Sequence, residues 1–368
     1  MSQLTHQSQL THQSQRTSRG DGVAVSPQPG RAERDPFFDN AKYLAMVLVV
    51  VGHSWEPIPG SGRLVETAYT FVYTFHMPVF ILIAGYFSRS FSARPDQIWR
   101  LFTSTVVPYA VFEVAYTLFQ RLTTGDPDYP FTPVDPYWLL WFLPALFLWR
   151  LSAPLWQQLR HPVVITLAVA TLASMTTGIG GDLQLQRVVQ FLPYFVLGLM
   201  MRPEHFARLR TRGARLLALP VAALALGTAY WAVPLMSTSW FFRSKSTTEM
   251  TAPLWSGAVL TPAIFLASLV LVACFLAWVP RRRTWMTVLG AGTLYGYLLH
   301  GFVIRGARNL GWYELPGVAT PAGELLLTLG AVVLATALCT PPVRRVFRFA
   351  VEPRLDLLRR ERPASAAG

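Results

Sequence analysis

Four ionisable side chains interrupt stretches of this sequence that are otherwise apolar: His53, His76, Glu113 and His300. Such groups are costly in hydrocarbon and mark substrate or proton paths by default. Three of the seven histidines thus fall in apolar runs rather than in polar tails or loops. His53 carries the sharpest expectation. Lys42 precedes it by eleven positions, which at 100° per residue puts both side chains on one helical face about 16 Å apart. A cation at one end of that face suits a phosphate-bearing ligand, and an imidazole farther along can take a proton from a hydroxyl near neutral pH. The plain alternative is a snorkelling lysine and a hydrogen-bonded histidine. His76 stands just before Met77-Pro78, so it is either a substrate contact or a cap for carbonyls freed by the proline. Glu113 has no basic neighbour one turn away and requires a partner from another helix. Thr293, Tyr297 and His300 share one helical face, as a functional row or as an interfacial belt.

The elements that must hold these groups are membrane helices. The chain is 52% hydrophobic, 13% aromatic and only 14% charged, too apolar for one soluble core of 368 residues. Apolar stretches near the roughly 20 residues that cross a bilayer recur ten times: Phe38–Trp55, Ala68–Phe87, Leu101–Arg121, Tyr137–Leu155, Val163–Gly178, Val188–Met201, Ala214–Met236, Leu254–Val279, Trp285–Ile304 and Leu325–Val346. The net charge of +13 falls on one side of this arrangement. With the N-terminus in the cytoplasm, only Arg63, Arg121, Arg187, Arg243, Lys245, Arg305 and Arg308 of the 32 basic residues lie outside. The expectation is an all-α, polytopic bundle of about ten transmembrane helices in the inner cell membrane, with both termini inside and membrane lipids around it. No basic cluster is interleaved with the polar surface that a nucleic-acid partner would require.

Three segments are expected: a disordered cytoplasmic tail over 1–36, in which Ser2–Gln7 repeats as Ser8–Gln13; a membrane domain over 37–348; and a basic cytoplasmic tail over 349–368. The N-terminal tail lacks the apolar stretch of a signal peptide, so the first apolar segment is expected to remain as a helix. Cys274 and Cys339 read as small packing residues, and no zinc, redox or serine-hydrolase motif occurs. No metal and no permanently bound cofactor are expected. The long outer connections, near Gly125–Asp135 and Ser237–Pro253, read as loops, which leaves the bundle and its mouths as the place for chemistry.

Lys42-x10-His53 resembles the Arg/Lys-x10-His signature on the first helix of acyltransferase family 3, the multi-pass membrane acyltransferases. Further segments are similar to that family in the same order. Tyr73–Phe87, reading YTFHMPVFILIAGYF, resembles the second-helix motif of its fucose 4-O-acetylase-like branch. Arg100 with Val107-Pro108-Tyr109, Trp138–Leu146 and Thr293–His300 resemble its basic third helix, aromatic fourth helix and late Tyr/His motif. Lys42 stands where many members have Arg, and Gln97 where an Arg-x-x-Arg pair would begin. The resemblance implies acyl-CoA, acetyl-CoA foremost, as co-substrate, and a hydroxylated acceptor such as a saccharide. His53 would be general base, with Glu113 and His300 also catalytic. Lys42 and Arg100 would hold the donor phosphates, and His76 and Tyr297 would contact substrate. A transporter of an amphipathic metabolite or lipid-linked sugar is the competing reading, since it would use the same intramembrane groups as relays.

Overall fold

In the computed structural model, which describes residues 35–353, every regular element is a helix. The ten long ones are α1 (Pro36–Trp55), α2 (Arg63–Phe87), α3 (Pro95–Thr124), α4 (Trp138–Gln158), α5 (Pro162–Met175), α6 (Leu185–Met200), α7 (Arg212–Ala232), α8 (Leu254–Trp278), α9 (Thr293–Asn309) and α10 (Pro321–Leu338). The short helices Asp182–Gln184, Pro203–Leu209, Ser239–Phe242, Trp285–Gly290 and Trp312–Glu314 lie in the connections, and Pro341–Val351 follows α10. The tail over 1–34 and the stretch 354–368 lie outside the described residues. The expected boundary at 348 falls inside the helix Pro341–Val351.

Length and composition alone support fewer spans than the ten expected. Among the described residues, six helices are long and apolar enough to cross a bilayer: α2, α3, α4, α7, α8 and α10. The other four expected segments do fold as helices, but α5, α6 and α9 have only 14, 16 and 17 residues. At 1.5 Å per residue these fall short of a hydrocarbon core about 30 Å thick. α1 has 20 residues, and Asp39, Asn40, Lys42 and His53 dilute its apolar run. Two expected spans are also broken. Trp285–Ile304 divides at Ala291-Gly292, where Gly292 lies against the backbone of Cys339. Leu325–Val346 divides at Cys339-Thr340, before Pro341-Pro342.

α7 and α10 turn apolar surface outward almost along their whole length, with Leu224 73% and Val333 67% exposed. Contiguous apolar faces of that extent are tolerated against lipid and not against water. α1 is the opposite case, enclosed by α2, α9 and α10. Its polar start is satisfied inside the protein. The fully buried Asn40 amide donates to the carbonyls of Pro280 and Arg282 at 2.9 and 3.0 Å, and its oxygen accepts from Thr284 and Thr287 at 3.2 and 2.8 Å. The basic loop Arg281–Arg283 is thereby pinned to the first helix.

The helix pair α2 and α6 sets the depth at which α2 sits. A Cβ on Gly85 would run into the carbonyl of Phe195, and one on Gly198 into the carbonyl of Leu82. The two backbones therefore touch through reciprocal glycines, the close approach that small residues permit between membrane helices. Gly85→Ala or Gly198→Ala should force the helices apart and destabilise the fold by about 1–3 kcal/mol. Gly227→Ala on α7 should be neutral, because nothing lies within 4 Å of its absent Cβ. The measurement is the thermal unfolding midpoint of detergent-purified protein, and equal midpoints for all three variants would refute the close-packing account.

Candidate active site

His53 sits in the last turn of α1, where the chain can offer its next residues as partners without crossing the bundle. Glu56, three positions on, places Oε2 3.2 Å from the Nδ1 of His53. The hydroxyl of Tyr73, from α2, lies 3.1 Å from the same nitrogen. A carboxylate can only accept, so Nδ1 carries the hydrogen and Nε2 keeps a lone pair. Burial opposes ionisation of Glu56, but the hydrogen bond and charge of His53, with the charges of Arg305 and Arg308, outweigh it and hold this carboxyl below the usual carboxylate range. An ionised Glu56 fixes the imidazole's orientation and favours the imidazolium that forms when Nε2 takes a proton, as the carboxylate does in a Ser-His-Asp triad.

A cavity of about 100 Å³ opens in front of this pair, walled by His53, Glu56, Tyr73, His76, Trp138 and Arg187 among others. Its roof includes Phe241 and Phe242 of the short helix Ser239–Phe242. The connection expected to be a plain loop thus closes the site. The ring of Trp138 packs edge-on against His53 with centroids 4.5 Å apart, and the ring of His300 stacks on its imidazole at 5.5 Å.

His76 and His300 share a pattern that neither sequence position announces. Each is buried and donates from Nδ1 to the carbonyl four residues back, to Val72 and Gly296, at 2.9 Å in both cases. His76 lines the cavity and meets Tyr73 with ring centroids 4.5 Å apart. The carbonyl that Pro78 deprives of its donor is that of Thr74, so His76 does not serve the proline kink. His300 is fully buried behind His53, and its Nε2 has no hydrogen-bond partner among the described residues. Tyr297 donates its hydroxyl to the carbonyl of Leu139, which holds the start of α4 in place.

Three expected residues lie away from His53. Glu113 is buried on α3, and its Oε2 accepts at 2.9 Å from the backbone N–H of Tyr137, the residue before Trp138. The carboxylate that reaches His53 is Glu56, whereas Glu113 reaches the backbone beside Trp138. Lys42 is paired with Asp39 at 2.7 Å near the far end of α1, and Arg100 with Asp96 at 2.8 Å on the exposed start of α3. Glu56, Tyr73 and Arg187 were not singled out in the sequence. Glu56 was legible, since i and i+3 share a face. Tyr73 and Arg187 arrive from other helices and carry no local signal.

The fold and site together define a helical membrane protein with a carboxylate-oriented imidazole at the wall of a small cavity. The model of the acyltransferase domain of acyltransferase family 3 matches residues 35–342, and the chain belongs to that family. Among curated proteins, the Nodulation protein NolL of Sinorhizobium fredii is 30% identical over 134 residues, which cover 32% of this chain and 36% of NolL. The matched part is thus about a third of that relative. No solved structure matches.

The pairing pattern separates the two carboxylates by experiment. Glu56→Gln removes the charge beside Nδ1 and should lower acyl transfer roughly tenfold or more. Glu113→Gln keeps an oxygen for the N–H of Tyr137 and should retain most of it. Initial rates in membranes with equal protein levels decide this, and a larger loss for Glu113→Gln would reverse the assignment.

Proposed function

We propose that this chain is a membrane O-acyltransferase that moves acetyl, or another short acyl group, from acyl-CoA to the hydroxyl of a saccharide or another envelope or secondary-metabolite acceptor. The observation that carries the reading is the His53–Glu56 pair with Nε2 left basic at a cavity wall, in a chain of this family. Nε2 of His53 takes the proton from the acceptor hydroxyl as its oxygen bonds to the thioester carbonyl carbon. The C–S bond then breaks, and the imidazolium returns the proton to the departing thiolate, giving an ester and free CoA. Glu56 and Tyr73 hold the ring, and His300 and Trp138 brace its faces. A cavity of about 100 Å³ suits a short acyl group better than a long one.

The likeness of Tyr73–Phe87 supports the fucose 4-O-acetylase-like branch. The one-sided distribution of basic residues supports an inner-membrane protein of about ten membrane-embedded helices with both ends inside, four of them short or polar. In that orientation Lys42 and Arg100 face the cytoplasm and attract the CoA phosphates by exchanging their present partners, Asp39 and Asp96, for a more highly charged anion. The donor then reaches inward along α1 toward His53.

Sealed vesicles test reaction and orientation together. Inverted inner-membrane vesicles containing the protein should release free thiol from added acetyl-CoA and give an acceptor heavier by one acyl group. Right-side-out vesicles should do neither, because acetyl-CoA does not cross the bilayer. Solute uptake with no thioester consumed in either preparation would establish the transporter reading in its place.

A further inference from the structure

The cavity at His53 has a larger neighbour. A chamber of about 400 Å³ adjoins it, with Trp138 and Arg187 in the walls of both. Its size lies within the range of small-molecule sites, roughly 300–1,000 Å³. Its lining is mostly polar and includes Glu113, Gln120, Asp135, Gln184, Arg187 and Arg305. The aromatic residues Tyr129, Tyr137 and Trp138 line it as well. Planar rings among side-chain donors and acceptors match a pyranose, which shows apolar C–H faces and a rim of hydroxyls.

The hydrogen-bonding balance of the chamber is uneven. Its carboxylates already have donors: Glu113 takes the N–H of Tyr137 at 2.9 Å, and Asp135 the side-chain amide of Gln184 at 3.0 Å. The guanidinium groups have no acceptors. Among the described residues, neither Arg187 nor Arg305 makes a hydrogen bond or an ion pair, and the Nε of each is buried without a partner. Each lies over an indole instead, Arg187 at 5.2 Å from the ring of Trp141 and Arg305 at 4.1 Å from that of Trp138. A cation over an aromatic face is stabilised without using its N–H groups, which leaves them free to donate to an anion. Trp138 itself adopts a left-handed backbone, with φ 36°. Strain of that kind persists where the surroundings enforce it, and it is concentrated at functional sites.

We infer that this chamber is the acceptor subsite and that it takes a saccharide bearing a carboxylate or phosphate, whose anionic group is held by Arg187 and Arg305. The inference rests on the acyltransferase reading for the word acceptor, but the binding itself does not. Because Arg187 lines both cavities, an acceptor anchored there has its hydroxyls next to the opening toward His53. Arg187 and Arg305 are positioning residues in this scheme, since neither takes part in the proton transfer.

The test is isothermal titration of the full chain in lipid nanodiscs with glucose 1-phosphate, glucuronate and glucose, in the absence of acetyl-CoA. Failure here is therefore separate from failure of acyl transfer. The two anionic ligands should bind at least roughly tenfold tighter than glucose, and Arg187→Gln and Arg305→Gln should each remove most of that difference. Arg187→Lys should restore part of it, and Arg63→Gln, remote from the chamber, should change nothing. Equal binding of glucose and glucose 1-phosphate by the unaltered protein would overturn the inference whatever the variants do. So would anion binding that survives both glutamine substitutions. Competition assigns the source of the anion: if CoA displaces glucose 1-phosphate and loses affinity equally in Arg187→Gln, the subsite belongs to the donor's phosphates and the acceptor assignment falls.

Discussion

In a bundle surrounded by hydrocarbon, a polar atom without a partner costs several kcal/mol, because no water is present to replace the missing bond. The placement of most polar groups in this protein follows from that constraint. Asn40 fills all four of its hydrogen bonds and ties the first helix to the loop before α9. Glu324, an acid that the apolar run of α10 conceals, accepts the N–H of Gly62 at the start of α2. Buried threonines return their hydroxyls to the carbonyl one turn back, as Thr74 does to Thr70 and Thr117 to Glu113. Against that background the exceptions are informative. Among the described residues, the Nε of Arg187, the Nε of Arg305, the hydroxyl of Tyr137 and the Nε2 of His300 have no hydrogen-bond partner, and these four lie around His53 and the chambers beside it, whereas Thr247, Ser268 and Arg344 leave such atoms elsewhere.

Periodicity and apolar length located all ten long helices, with ends displaced by up to eight residues, because lipid-facing and core-facing surfaces are both hydrophobic and only the joints are polar. Where the reading erred, it did so for a related reason. Counting apolar residues passed over two turns made inside protein, at Gly292 and at Thr340, although Gly290-Ala291-Gly292 and Pro341-Pro342 mark them in the sequence. The four helices that fall short of a full span are short or polar, and three of them, α1, α6 and α9, carry site residues: His53, Arg187 and His300.

The site divides in the same way. His53 was legible because an imidazole in an apolar helix is expensive, and Glu56 could have been found from helical spacing alone. The link between Glu113 and Trp138 could not, since it joins α3 to the backbone of a turn 24 residues later. The sequence reading singled out Glu113, the more deeply embedded acid, and did not weigh Glu56. Depth in an apolar segment measures what a group costs. What the group does depends on which atom it reaches, and Glu113 reaches a backbone amide whereas Glu56 reaches the imidazole.

The central claim is that Nε2 of His53 removes the proton from the acceptor hydroxyl. It is tested most directly by following transfer of labelled acetyl from acetyl-CoA in membranes that contain equal, verified amounts of the unaltered chain, His53→Ala or His53→Gln. A positioned general base contributes about 10²–10⁴-fold, so both variants should insert normally and lose at least about two orders of magnitude in rate. Near-normal transfer by His53→Ala would contradict the account.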